Sequence, residues 1–252
     1  MYSWPNFKDK FRRHWQLGSS EIRGLIITTF FIAFIFSFRN WGTTTFDWKL
    51  GLTNYLITIL LVGVSLLVHE FGCRWVATLM GYDTRYRAWL LGLVIGLVVA
   101  FFSDGHFIFL APGAIVITAN KIHKLGKFPV AWSHKQVGWI AMSGAIFNIV
   151  FAILLKSFYE YFPSDWLLKF VMINVWLAVY NMLPFPPYNG SWTFFGSRLV
   201  YTFVLGCILG ASAILAFTSG ILALVGAVLF GIALLAVLFF FFDKLWTDKP
   251  RP

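Results

Sequence analysis

His69, Glu70 and Cys73 belong to the run His-Glu-Phe-Gly-Cys, one residue short of His-Glu-x-x-His. In that pattern two histidines one helical turn apart bind a metal ion, and the glutamate beside the first activates a water molecule. Here the second histidine position holds Cys73, whose thiolate is also a metal ligand. The run sits inside an apolar stretch. A charge at the centre of a bilayer costs about 3 kcal/mol or more unless paired or hydrated, so an acid at that depth reads first as a functional residue. Of the ten acidic residues, Glu70 alone falls well inside an expected membrane span.

Two further segments carry residue types that suit a site. Gly144-Ala-Ile-Phe-Asn148 places a glycine and an amide on one face of a helix. Asn181-Met-Leu-Pro184-Phe-Pro-Pro-Tyr-Asn189-Gly190 closes an apolar helix with a proline-rich extended stretch, since proline blocks ordinary helix continuation. Each has a bland reading: interhelical packing for the first, a helix stop and turn for the second. Around the His-Glu run, Ser65, His69, Gly72, Cys73 and Ala77 share one stripe at helical spacing. Small residues there let a neighbouring helix approach, so the His-Glu pair faces protein and not lipid.

The elements that must position these residues are membrane helices. The 252-residue chain is 59% hydrophobic and 12% charged, about half the charge of a soluble domain. Its mean hydropathy is +0.77. Apolar runs of spanning length cover Ile22–Phe38, Thr53–Leu79, Val137–Lys156, Trp166–Pro184, Leu199–Phe217 and Gly220–Phe242. Trp89–Phe102 and Phe107–Thr118 are shorter and broken by Ser103-Asp-Gly-His106, which predicts a short helix followed by a re-entrant or β-type segment. The expected fold is therefore an all-α polytopic membrane protein with six crossings plus a hairpin. A basic segment 1–21 precedes a transmembrane domain 22–242, and a basic tail 243–252 follows it.

Basic residues cluster at the N-terminus, in the Arg85/Arg87 loop, in the Lys121–Lys135 loop and in the tail, whereas the loops Asn40–Leu52 and Ser157–Asp165 are poorer in them. The positive-inside rule then places both termini in the cytoplasm. The net charge of +10 is spread over these short juxtamembrane patches. It reads as topology signal and contact with anionic lipid, and not as a nucleic-acid surface. Cys73 and Cys207 both lie in apolar spans, so no disulfide framework is expected.

In this order along the chain, residues 69–73, 144–148 and 181–190 together resemble the site-2 protease family of intramembrane zinc metalloproteases. The resemblance covers roughly residues 53–195. It implies His69 as a zinc ligand, Glu70 as the general base, and Asn148, Asn181 and Pro184 as residues that bind substrate or support the loop that does. The implied substrate is a transmembrane helix of another protein. Cys73 and Asn189 stand where that family carries its second histidine and its aspartate ligand. A thiolate restores the lost negative charge, but an amide oxygen is a poor zinc ligand beside a carboxylate. The ligand set His69, Cys73 and Asn189 thus predicts weak zinc binding or none.

Three readings follow, in order of preference. The first is a pseudoprotease that binds transmembrane segments or membrane partners without efficient hydrolysis. The second is an active intramembrane metalloprotease with a His/Cys/Asn metal site. The third is a transporter relaying protons through His69 and Glu70, which calls for further ionisable residues within the membrane.

Overall fold

The computed structural model describes residues 17–42, 46–119, 133–215, 217 and 220–247. Helix α1 (Ser19–Ser37) starts at Gly18, whose N–H is taken by the Glu21 side chain at 2.8 Å, a carboxylate reaching back over the first turn. Helix α2 (Trp48–Met80) is capped by Asp47, which accepts from the N–H groups of Lys49 and Leu50. It ends at Gly81, whose φ of +79° is a left-handed turn that glycine adopts without strain. At 33 residues α2 is about 50 Å long, more than the hydrocarbon core requires.

The chain then enters strand β1 (Tyr82–Ala88), runs through the short helix α3 (Leu90–Phe102), and returns as β2 (Gly113–Ala119). β1 and β2 pair antiparallel from Tyr82↔Ala119 to Ala88↔Gly113. Thirteen residues make α3 about 20 Å long, too short to cross. The pairing with β1 brings the end of the region 89–118 back beside the strand that precedes it, a short helix followed by a β-type return. The expectation missed its partner: the Arg85/Arg87 segment is a strand, not a loop. Its alternation buries Tyr82, Thr84 and Tyr86 and turns Arg85 and Arg87 outward.

Helix α4 (His134–Tyr161) is the central element, packing on α2, on α5 (Asp165–Asn181) and on α6 (Asn189–Gly196). Helices α7 (Arg198–Leu215) and α8 (Gly220–Thr247) form a close pair. A Cβ on Gly206 would fall 2.9 Å from the Gly231 Cα, so the Gly206/Gly210 repeat is spent on this contact.

Four described helices, α1, α2, α4 and α7, are long and apolar enough to cross a membrane. The chain is thus an integral membrane protein by its helices. Two of the six expected crossings are shorter on that measure: α5 has 17 residues and α8 a described apolar stretch of Leu222–Val237. Large apolar side chains on the outer faces, among them Leu60, Leu67, Phe102, Leu154 and Leu229, are exposed as lipid-facing groups would be. Residues 1–16 of the expected basic segment 1–21, most of the expected Lys121–Lys135 loop and residues 248–252 of the expected tail 243–252 lie outside the described residues, and 243–247 continue α8.

Candidate functional site

Helix α2 carries His69 and Cys73 one turn apart, both buried, on the stripe with Ser65, Gly72 and Ala77. The small residues of this stripe admit α4. The Ser143 hydroxyl lies between the Ile140 carbonyl of its own helix at 2.7 Å and the Gly72 carbonyl at 3.1 Å, marking the level at which the helices meet. Gly144 then faces the two side chains directly. A Cβ there would lie 2.5 Å from His69 Cε1 and Nε2 and 2.7 Å from Cys73 Sγ. The imidazole and the thiol therefore converge on the hollow left by one missing methyl group. Phe147, three residues on, covers Gly72, where an added Cβ would come within 2.7 Å of its ring.

Asn189 comes from the other side. After Asn181 the prolines stop α5, and Pro184 and Pro186 are exposed on the loop that follows. The Pro186–Pro187 bond is cis. The loop is tied down by hydroxyls: Tyr188 donates to the Leu110 carbonyl at 3.0 Å and Tyr201 to that of Met182 at 2.9 Å. Gly190 lies flat against Met182, with no space for a Cβ. Asn189 is thereby held at the start of α6, 1% exposed, with three partners. Its Oδ1 accepts from Ile115 N–H of β2 at 3.1 Å, while Nδ2 approaches His69 Nε2 at 3.2 Å and Asn181 Oδ1 at 3.5 Å.

The orientation of this amide is decided by its neighbours. A backbone N–H can only donate, so the oxygen must face Ile115 and the NH2 group must face His69. An NH2 group has no lone pair to offer a metal. A carboxylate in the same place would put an oxygen there instead. Among the described residues no group of three His, Cys, Asp or Glu side chains is placed to hold a metal ion. The residues present do not fit a three-ligand zinc centre: His69 and Cys73 converge, and the third position presents donor hydrogens.

Glu70 lies one residue away, 3% exposed, and neither carboxylate oxygen has a hydrogen-bond partner among the described residues. Its Oε2 is 3.9 Å from Nε of Arg74, one turn on. Arg74 reaches on to Glu21 of α1, Nη2 to Oε1 at 2.6 Å, and that oxygen also accepts from the Tyr86 N–H at 2.9 Å. A buried arginine thus bridges two carboxylates and joins α1, α2 and β1. Burial pushes the Tyr86 phenol above the ordinary tyrosine range, so its hydroxyl stays protonated against the Pro112 carbonyl.

Asn148 is fully buried one turn beyond Gly144 on α4, and neither amide atom finds a partner among the described residues. Polar contacts continue between α2 and α5: Asn174 donates to Ser65 Oγ at 2.9 Å and Lys169 to Thr58 Oγ1 at 2.8 Å. His106 is apart from all of these, exposed and bonded to Ser103.

Of the residues expected at the site, the structure brings together His69, Cys73, Asn181 and Asn189, with Glu70 adjacent and Asn148 one turn beyond Gly144. Pro184 is not among them; it stands exposed on the loop that delivers Asn189. Glu21, Arg74, Gly144 as a close-approach point and the Ile115 N–H were not anticipated as site groups. Arg74 carried a signal, a cation four residues after the only deeply placed acid.

A protein of Methanocaldococcus jannaschii named "Putative zinc metalloprotease" is 30% identical to the chain over 181 residues, which is 70% of this chain and 84% of that protein. No family model matches the chain, and no solved structure matches it. Similarity at this level over most of both sequences assigns the chain to the metalloprotease family of that relative.

Proposed function

We propose that this protein is a site-2-protease-like pseudoprotease: it holds transmembrane segments of other proteins without hydrolysing them. The observation that carries the reading is the Asn189 amide, which turns NH2 toward His69 where a metal would need an oxygen. Without a bound metal the site has no ready hydroxide nucleophile at neutral pH. Glu70 remains, with its Oε2 3.9 Å from Arg74 Nε.

The binding half of the proposal rests on a groove of about 510 Å³ between α2 and α4. Val64, Leu67, Phe71, Phe147, Val150 and Leu154 make its wall apolar, and Glu70 with Arg74 supplies a polar point within it. An apolar helix with one hydrogen-bond donor at the level of Glu70 suits such a surface. In this reading both termini and the basic segments lie on the cytoplasmic side, as the positive-inside rule requires.

The test is a reconstituted assay with a single-span helical substrate carrying a photo-crosslinker. The expected result is a crosslink to the α2/α4 groove with the substrate intact. Cleavage that disappears in Glu70→Gln would favour an active protease and end the pseudoprotease reading.

A further inference from the structure

We propose that His69 and Cys73 form a two-coordinate site for a soft monovalent metal ion, with Cu(I) as the natural occupant. The proposal rests on the reading that the altered ligand set no longer suits zinc, but it has its own test. Nε2 of His69 and Sγ of Cys73 lie 2.5 and 2.7 Å from one point above Gly144 Cα, so they are separated by no more than the sum of those distances. An ion bonded at about 2.0 Å to nitrogen and about 2.3 Å to sulfur needs a separation of no more than about 4.3 Å, which that limit allows.

Two features favour a soft monovalent ion over zinc. Thiolate suits both ions, but a d10 monovalent ion is content with two donors, whereas zinc wants four. The second is charge: Cys73 thiolate with Cu(I) is neutral, whereas the same pair on Zn²⁺ leaves one positive charge in a site with both side chains at most 4% exposed. Binding is a simple exchange, in which Cu(I) takes the sulfur and imidazole lone pairs and the thiol proton leaves to solvent. What is given up is the neutral hydrogen bond from Asn189 to His69 Nε2, together with the hydrogen bonds that Gly144 and Ser143 make with the ring and the thiol, each worth about 1 kcal/mol net. The second ring nitrogen, Nδ1, is buried and has no hydrogen-bond partner among the described residues, so metal binding at Nε2 breaks no bond on that side of the ring.

The experiment titrates the full-length protein in detergent, under reducing anaerobic conditions, against a coloured Cu(I) chelator. Wild type is expected to withdraw one equivalent of Cu(I), with copper X-ray absorption showing one sulfur and one nitrogen neighbour. Cys73→Ala and His69→Ala should each weaken retention at least a hundredfold, while Cys207→Ala keeps the full equivalent. Failure of wild type to compete, or copper retained in Cys73→Ala, would overturn the proposal. Either result leaves the pseudoprotease reading intact, because that reading fails only on zinc binding or cleavage.

Discussion

Replacing Gly144 by alanine is the sharpest way to ask whether the imidazole and thiol converge as described. The added methyl would stand 2.5 Å from the His69 ring and 2.7 Å from Cys73 Sγ, well inside van der Waals contact. Neither group can retreat easily, since His69 is 4% and Cys73 0% exposed. Overpacking of this kind costs about 1–3 kcal/mol, and more where nothing yields. Alanine returns up to about 1 kcal/mol through its better helix propensity. The net expectation is a loss of about 1–2 kcal/mol, or a fall in Tm of roughly 2–8 °C for a chain of this size. Gly63→Ala on α2 is the control, because a Cβ there meets only Thr29 Cγ2 at 3.7 Å. It should leave Tm unchanged or slightly raised. Thermal unfolding in a mild detergent reads both. The double variant Gly144→Ala/His69→Ala should recover stability relative to the sum of the single changes, by about 0.5 kcal/mol or more. Equal behaviour of Gly144→Ala and Gly63→Ala would refute the convergence of His69 and Cys73 and with it the copper site.

Three further outcomes follow from the same geometry. Glu21→Ala leaves Arg74 without its 2.6 Å partner and the Tyr86 N–H without an acceptor, so it should cost about 3–5 kcal/mol in a denaturant titration. Breaking the Asp83–Arg85 pair with Arg85→Ala should cost no more than about 1 kcal/mol, because that arginine is 71% exposed. Gly231→Leu should prise α7 from α8, since a Cβ alone would already press on Cys207 Sγ at 2.5 Å; a crosslinking pair placed across the two helices is expected to lose efficiency.

Much of this arrangement was legible in the sequence, for reasons that can be stated. Apolar length located the helices, with observed bounds within about five residues of the expected ones. Helical spacing placed His69 and Cys73 on one face. The prolines after Asn181 announced the loop that delivers Asn189. What stayed hidden depends on contacts between distant segments. The Arg74–Glu21 pair joins residues 53 positions apart, and the Ile115 N–H that fixes the Asn189 amide comes from 74 positions away. No local period records such meetings. Gly144 read as a small residue suited to packing, and only the opposing side chains reveal it as the point where the site closes. Strand β1 was different: the alternation Tyr82-Asp-Thr-Arg-Tyr-Arg is visible in the sequence, but its two arginines drew the segment to be read as a loop.

The central claim is that the exchange of ligands, and above all Asn189, removes zinc from a site whose surroundings are otherwise kept. Metal content measured on the purified protein tests it most directly. Wild type should carry well under one zinc per chain, and Cys73→His/Asn189→Asp should gain about one. Stoichiometric zinc in wild type, lost on Cys73→Ala, would contradict the account.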